Sequence, residues 1–185
     1  MTEFKIHTVE TAPEGSKEIL AESIKRSGFI ANIHGIMAES PVLLKAYNEI
    51  GNIFSESSFS PTERQVVWFT ANYDNGCHYC IAAHTAIAKK YKMPDDVIES
   101  LRTNNPIADK KLEALRQFTH IIVEKRGYAS AEEIEAFLNA GYSKAQLMEV
   151  LVGVAHKTLS NYLNHIAGTP LDAEFEKYKW QKELV

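Results

Sequence analysis

The chain has 185 residues, 45% hydrophobic and 24% charged, with a formal net charge of −4. An acidic balance without any basic block argues against nucleic acid as a partner. No stretch approaches the ~18 apolar residues of a membrane span, and the N-terminus lacks a charged region followed by an apolar core. A single domain in a reducing, cytoplasmic location is therefore expected, with no need of disulfide bracing.

Residues 1–15 read as an extended lead-in ending at Pro13-Glu14-Gly15, with Ser16 capping a helix over 17–28. A connector follows through Asn32-Ile33-His34-Gly35. A helix from Pro41 carries Leu43, Leu44, Tyr47, Ile50 and Phe54 at helical spacing. Ser60-Pro61-Thr62-Glu63 is a capping box with proline at the first helical position, and its helix stops at Asn75-Gly76. A helix bearing both cysteines runs to about Tyr91. Short and longer helices are expected from Pro94 and Asp109. Ser130-Ala131-Glu132-Glu133 and Ser143-Lys144-Ala145-Gln146 are two further capping boxes, the last opening a long helix over 144–167. Gly168 and Pro170 end it, and a polar tail with aromatic anchors occupies 170–185. No segment alternates with period two. The expected fold is all-α, with about eight helices around a core region at 60–92.

The chemistry concentrates in Gly76-Cys77-His78-Tyr79-Cys80-Ile81-Ala82-Ala83-His84. Positions i and i+3, or i and i+4, share a helix face, so Cys77, Cys80 and His84 form one stripe. Gly76 turns the chain into the helix, and its first turn favours an anion such as a thiolate. Two inert buried thiols are one reading. Three ligands for a catalytic zinc are another, weakened by the crowding of three successive ligands within two turns. Dithiol redox chemistry accounts best for a Cys-x-x-Cys pair. His84 stands one turn beyond Cys80, which makes Cys80 the attacking thiolate and Cys77, nearer the helix start and solvent, the resolving thiol. Glu63 is a more distant candidate proton acceptor, although its capping role explains it. His156 and His165 are expected to be buried and hydrogen-bonded.

The stretch Ser60 to Val67 together with Asn75 to His84 resembles the core of the carboxymuconolactone decarboxylase family, nearest its alkylhydroperoxidase D branch. Leu159 to His165, followed by Gly168-Thr169-Pro170-Leu171, is similar to that branch as well. The resemblance implies a helical bundle with the Cys-x-x-Cys motif at a central helix N-terminus, and homo-oligomers, trimeric or hexameric. It implies Cys80 as peroxidatic thiol, Cys77 as resolving thiol and His84 as relay. The implied activity is thiol-dependent reduction of hydroperoxides in antioxidant defence, driven by an external thiol or dithiol reductant, with no metal or cofactor. Two departures stand out. The family's relay glutamate falls where this chain has Gln65, and a histidine expected before the second cysteine is Tyr79, with His78 one place earlier. The rival readings are a decarboxylase-type lyase and a non-catalytic redox-sensing module.

Overall fold

The computed structural model describes residues 3–182. Positions 1–2 of the expected lead-in and 183–185 of the expected tail lie outside them. Nine α-helices occur among the described residues: α1 Glu14–Ser27, α2 Asn32–Met37, α3 Pro41–Ser55, α4 Pro61–Asp74, α5 His78–Lys90, α6 Asp95–Thr103, α7 Lys110–Glu124, α8 Ala131–Asn139 and α9 Lys144–Ala167. A 3-10 turn, Glu176–Tyr178, follows. The additional helix is α2, in the segment read as a connector. It is a short helix without a side-chain cap, and burial of Ile33, Ile36 and Met37 holds it.

All three expected capping boxes form, at Ser60/Glu63, Ser130/Glu133 and Ser143/Gln146. Each satisfies two orphan amides at a helix start. The start of α1 differs from expectation. The helix begins at Glu14, and Ser16 is buried, its hydroxyl donating to the Ala38 carbonyl at 2.8 Å. The serine ties α1 to the end of α2 instead of capping.

Two hydrophobic clusters build the interior. One joins α4, α6, α7 and α8 around Phe69, Phe118 and Phe137. The other joins α1, α2, α3 and α5 around Leu20, Met37 and Leu44, and it contains both cysteines. α5 and α9 lend residues to both. Gly153 lets α9 lie against α3 and α4, because a Cβ there would stand 2.7 Å from Phe54 Cζ and 2.7 Å from Val67 Cγ1. The C-terminal segment folds back on its own chain. Trp180 Nε1 donates to the Arg102 carbonyl, and Phe175 packs edge-on against Phe29 and Tyr79. No helix among the described residues is long and apolar enough to cross a membrane.

Candidate functional site

α4 ends at Asp74 with Asn75 as its C-cap, and Gly76, at φ 64°, turns the chain into α5. Glycine adopts that left-handed backbone at no steric cost. Cys77 is then the N-cap residue, one position before the first helical turn. Its sulfur accepts the Cys80 amide N–H at 3.4 Å. Both thiols are free. The expectation that Cys77 stands nearer solvent does not hold. Cys77 has no exposed surface, whereas Cys80 lines a cavity of about 460 Å³. Cys77 lies inside the second hydrophobic cluster with Asn164 of α9 on its sulfur, and the C-terminal segment packs Trp180 on His78 and Phe175 on Tyr79 beside it.

From α9, Asn164 Nδ2 donates toward both sulfurs, at 3.4 Å to Cys77 and 3.2 Å to Cys80, and Ser160 Oγ lies 3.8 Å from Cys80 Sγ. Burial by itself would raise the Cys80 thiol. A hydrogen bond from Cys77, the charge of Lys157 and the polar groups of Ser160 and Asn161 outweigh it and bring Cys80 down to about 6. Cys77 moves the opposite way, raised by its hydrogen bond to Cys80 and by burial. The two thiols are thus drawn apart, Cys80 toward the thiolate and Cys77 toward the protonated thiol. That division of labour is one that dithiol chemistry needs.

His84 is buried, and both of its ring nitrogens are occupied. Nδ1 donates to Gln65 Oε1 at 2.9 Å, and Nε2 accepts from Lys157 Nζ at 3.1 Å. An ammonium can only donate, so Nε2 carries no proton and the ring is neutral. Burial and the neighbouring Lys157 charge hold its pKa well below the ordinary histidine value. No hydrogen bond joins His84 to either sulfur among the described residues. Lys157 is fully buried, its charge acts on Cys80, and Tyr47 Oη is a further partner at 3.4 Å. It also lies against the faces of Tyr47 and Trp68. His156 is buried as expected, 4.3 Å from the Tyr47 ring, but its Nδ1 has no partner, and His165 is exposed, against expectation.

Glu63 stays apart from this group. Its carboxylate accepts the Ser60 amide at 2.8 Å and pairs with Lys111 at 3.5 Å. Burial resists its ionisation, but the Ser60 hydrogen bonds and the Lys111 charge prevail and lower its pKa. Gln65, two residues on, is the side chain from α4 that reaches His84. Tyr79 bonds Asp172, and His78 lies against Trp180. The three ligands of the zinc reading do not converge. Among the described residues, the group whose ligand atoms lie within 4.8 Å of one another is Asp74, His120 and Glu124.

Lys157, Asn164 and Ser160 escaped the reading from sequence. A signal existed: they continue the buried stripe of α9 that starts at Val150 and Gly153. Polar residues on an inward stripe mark a site or a buried network.

The carboxymuconolactone decarboxylase family model matches residues 41–119, which span α3 to α7. No curated protein matches the chain. Among solved structures, the chain is similar to an alkylhydroperoxidase AhpD core, an uncharacterized peroxidase-related protein from Ralstonia eutropha. Identity is 18%, coverage is 95% of this chain and 96% of that one, and the TM-score is 0.83. An uncharacterized peroxidase-related protein from a Silicibacter species follows at 16% identity, with 94% and 95% covered and a TM-score of 0.79. The debrominase Bmp8, solved as a cysteine-to-alanine variant with 2,3,4-tribromopyrrole, is 14% identical over 96% of this chain and 95% of that one, with a TM-score of 0.80. At these identities the likeness is one of fold.

Proposed function

From a chain whose residues 41–119 match the carboxymuconolactone decarboxylase family model and whose fold is that of an alkylhydroperoxidase AhpD core, we propose that it is a dithiol peroxidase of that family. The observation that carries this reading is that Cys80, and not Cys77, faces the cavity with its thiol drawn down toward the thiolate.

The Cys80 thiolate attacks the terminal oxygen of an organic hydroperoxide. A sulfur–oxygen bond forms, the oxygen–oxygen bond breaks, and the products are a Cys80 sulfenic acid and an alkoxide. The alkoxide takes a proton, for which the Lys157 ammonium is the nearby source, and leaves as the alcohol. Cys77 then condenses with the sulfenic acid, giving the disulfide and water. An external dithiol reduces the disulfide by exchange and is itself oxidised, and Cys80 returns a proton to Lys157 as it ionises. Gln65 and His84 hold the Lys157 ammonium in place, where the family pattern has an acid relay. The C-terminal segment closes the Cys77 side, so the reductant approaches through the cavity. Assembly into homo-oligomers and a location in a reducing compartment belong to the same proposal.

The test is consumption of cumene hydroperoxide with dithiothreitol as reductant. Cys80→Ser should abolish it. Cys77→Ser should consume one equivalent and stop as a sulfenic acid that dimedone labels. Labelling of Cys77 in the Cys80→Ser variant, with none in the converse variant, would reverse the roles. Loss of both free thiols to peroxide without turnover would leave a redox sensor.

Aromatic walls around the cavity, including Phe29, Tyr47 and Trp68, favour one second reading. A thiolate can take a bromine from an activated aromatic ring, the ring carbon gaining a proton. Cys77 then displaces bromide and forms the same disulfide. Bromide release from a brominated pyrrole, with no peroxide consumption, would decide for it. Lactone decarboxylation gives the cysteine pair no role.

A further inference from the structure

The charge distribution of the cavity is one-sided. Its buried end holds Cys80 and the Lys157 ammonium, its wall is aromatic at Phe29 and Trp68, and its exposed lining includes Arg26 and Lys90. Not one of the residues lining it is an aspartate or glutamate. Arg26 closes α1 and Lys90 closes α5, so two helix ends bring two cations to one opening. Neither has a carboxylate partner among the described residues. Surface cations near a protein's own acids are ordinary; two at the rim of an aromatic cavity without a single acid are not. The charge of Arg26 also acts inward, for it joins burial in holding His34, a cavity residue, in its neutral form.

We propose that the cavity takes an organic anion: an apolar, preferably aromatic body with one acidic group, held so that the acid rests between Arg26 and Lys90 while the opposite end reaches Cys80. This deepens the reading of Cys80 as the reacting thiol and names the class of molecule it acts on. The thiolate and Lys157 neutralise one another at the closed end, so the excess positive charge lies at the opening. A single-sign cleft with low-dielectric walls concentrates an oppositely charged ligand. The aromatic wall between the two ends supplies the area for the apolar body. A neutral substrate of equal shape would use only the wall.

The experiment is a calorimetric titration of the reduced protein with 4-isopropylbenzoate and with 4-isopropylbenzamide, two unreactive ligands that differ in charge and share their shape. The benzoate should bind about tenfold more tightly or better at low ionic strength. Its advantage should shrink toward nothing near 1 M salt, where the Debye length is about 3 Å. The double variant Arg26→Gln/Lys90→Gln changes two exposed side chains, and in it the advantage should be lost at any salt. Equal binding of the two ligands, absence of binding by both, or a preference that survives in the double variant would overturn the proposal. Turnover of cumene hydroperoxide is read separately. A benzoate preference without peroxide consumption would uphold the anion site and remove the peroxidase reading.

Discussion

The state of Cys80 is set by its neighbours, Cys77 first and Lys157 next. A thiol buried as deeply as Cys80 should resist ionisation, and it is the opposing pull of Cys77 and Lys157 that reverses this. The rate of thiolate chemistry should therefore rise through a midpoint near pH 6 and level off above it. Replacing Lys157 with Met removes the charge and leaves burial unopposed by it. The midpoint of Cys80 alkylation by iodoacetamide should then move up by about one unit or more, with a correspondingly slower reaction at pH 7. His84→Ala should move it less, because the ring positions the ammonium without carrying charge. A larger shift for His84→Ala than for Lys157→Met would return the leading role to the histidine. Gln65→Glu tests the departure from the family pattern. A carboxylate in place of Gln65 Oε1, 2.9 Å from His84 Nδ1, should raise the histidine's pKa, and the ring's NMR titration reads it directly.

At the scale of helices, the chain separates groups that serve the fold from groups that serve the site, even two residues apart. Glu63 closes a capping box, whereas Gln65 points to His84. Glu63→Ala should cost about 1 kcal/mol of stability and leave peroxide turnover unchanged. A loss of rate at an unchanged melting temperature would show the carboxylate acting in catalysis. Gly153 shows the opposite dependence, of an element on close approach. A methyl group there collides with Phe54 and Val67, so Gly153→Ala should lower stability by about 1–3 kcal/mol in denaturant titration, despite alanine's better helix propensity. The same change should loosen α9, which carries Lys157, Ser160 and Asn164 to the cysteines.

The molecule as a whole should be sensitive to acid. Burial, first among the causes, keeps His34, His84 and His156 neutral, with His34 lowered to about 4. A histidine whose folded pKa is depressed binds fewer protons folded than unfolded between the two values. Its stabilising contribution is complete above the unfolded value near 6.5 and falls away as pH drops toward 4. Asp74 and Asp172, both raised mainly by burial, act in the reverse sense, beginning from a lower unfolded value. Thermal melts should thus show stability declining below about pH 6.5, and His34→Gln should flatten that decline. An unchanged slope would mean that His34 charges without cost. Assembly is a matter for this scale too. Met148, Leu151, Tyr162 and Ile166 are exposed along one run of α9, and light scattering should report a mass well above 20.8 kDa if they meet copies of the chain.

What the sequence alone determined was local. Capping boxes at Ser60, Ser130 and Ser143 are written in four adjacent residues each, and so are the glycine turn at Gly76 and the Cys-x-x-Cys spacing. The stripe from Cys77 to His84 follows from helical geometry, and the family resemblance rests on the same short stretches. Only tertiary structure decided what each group faces. Whether a thiol meets a cavity depends on helices and a tail distant in sequence, and here Cys77 is sealed while Cys80 lines the cavity. One of the two partners of His84 comes from α9, 73 residues away in sequence, and α2 exists because other helices bury it. Charge and burial act through space, so a lysine that looks like a solvated residue in a helix can become the cation beside a thiolate.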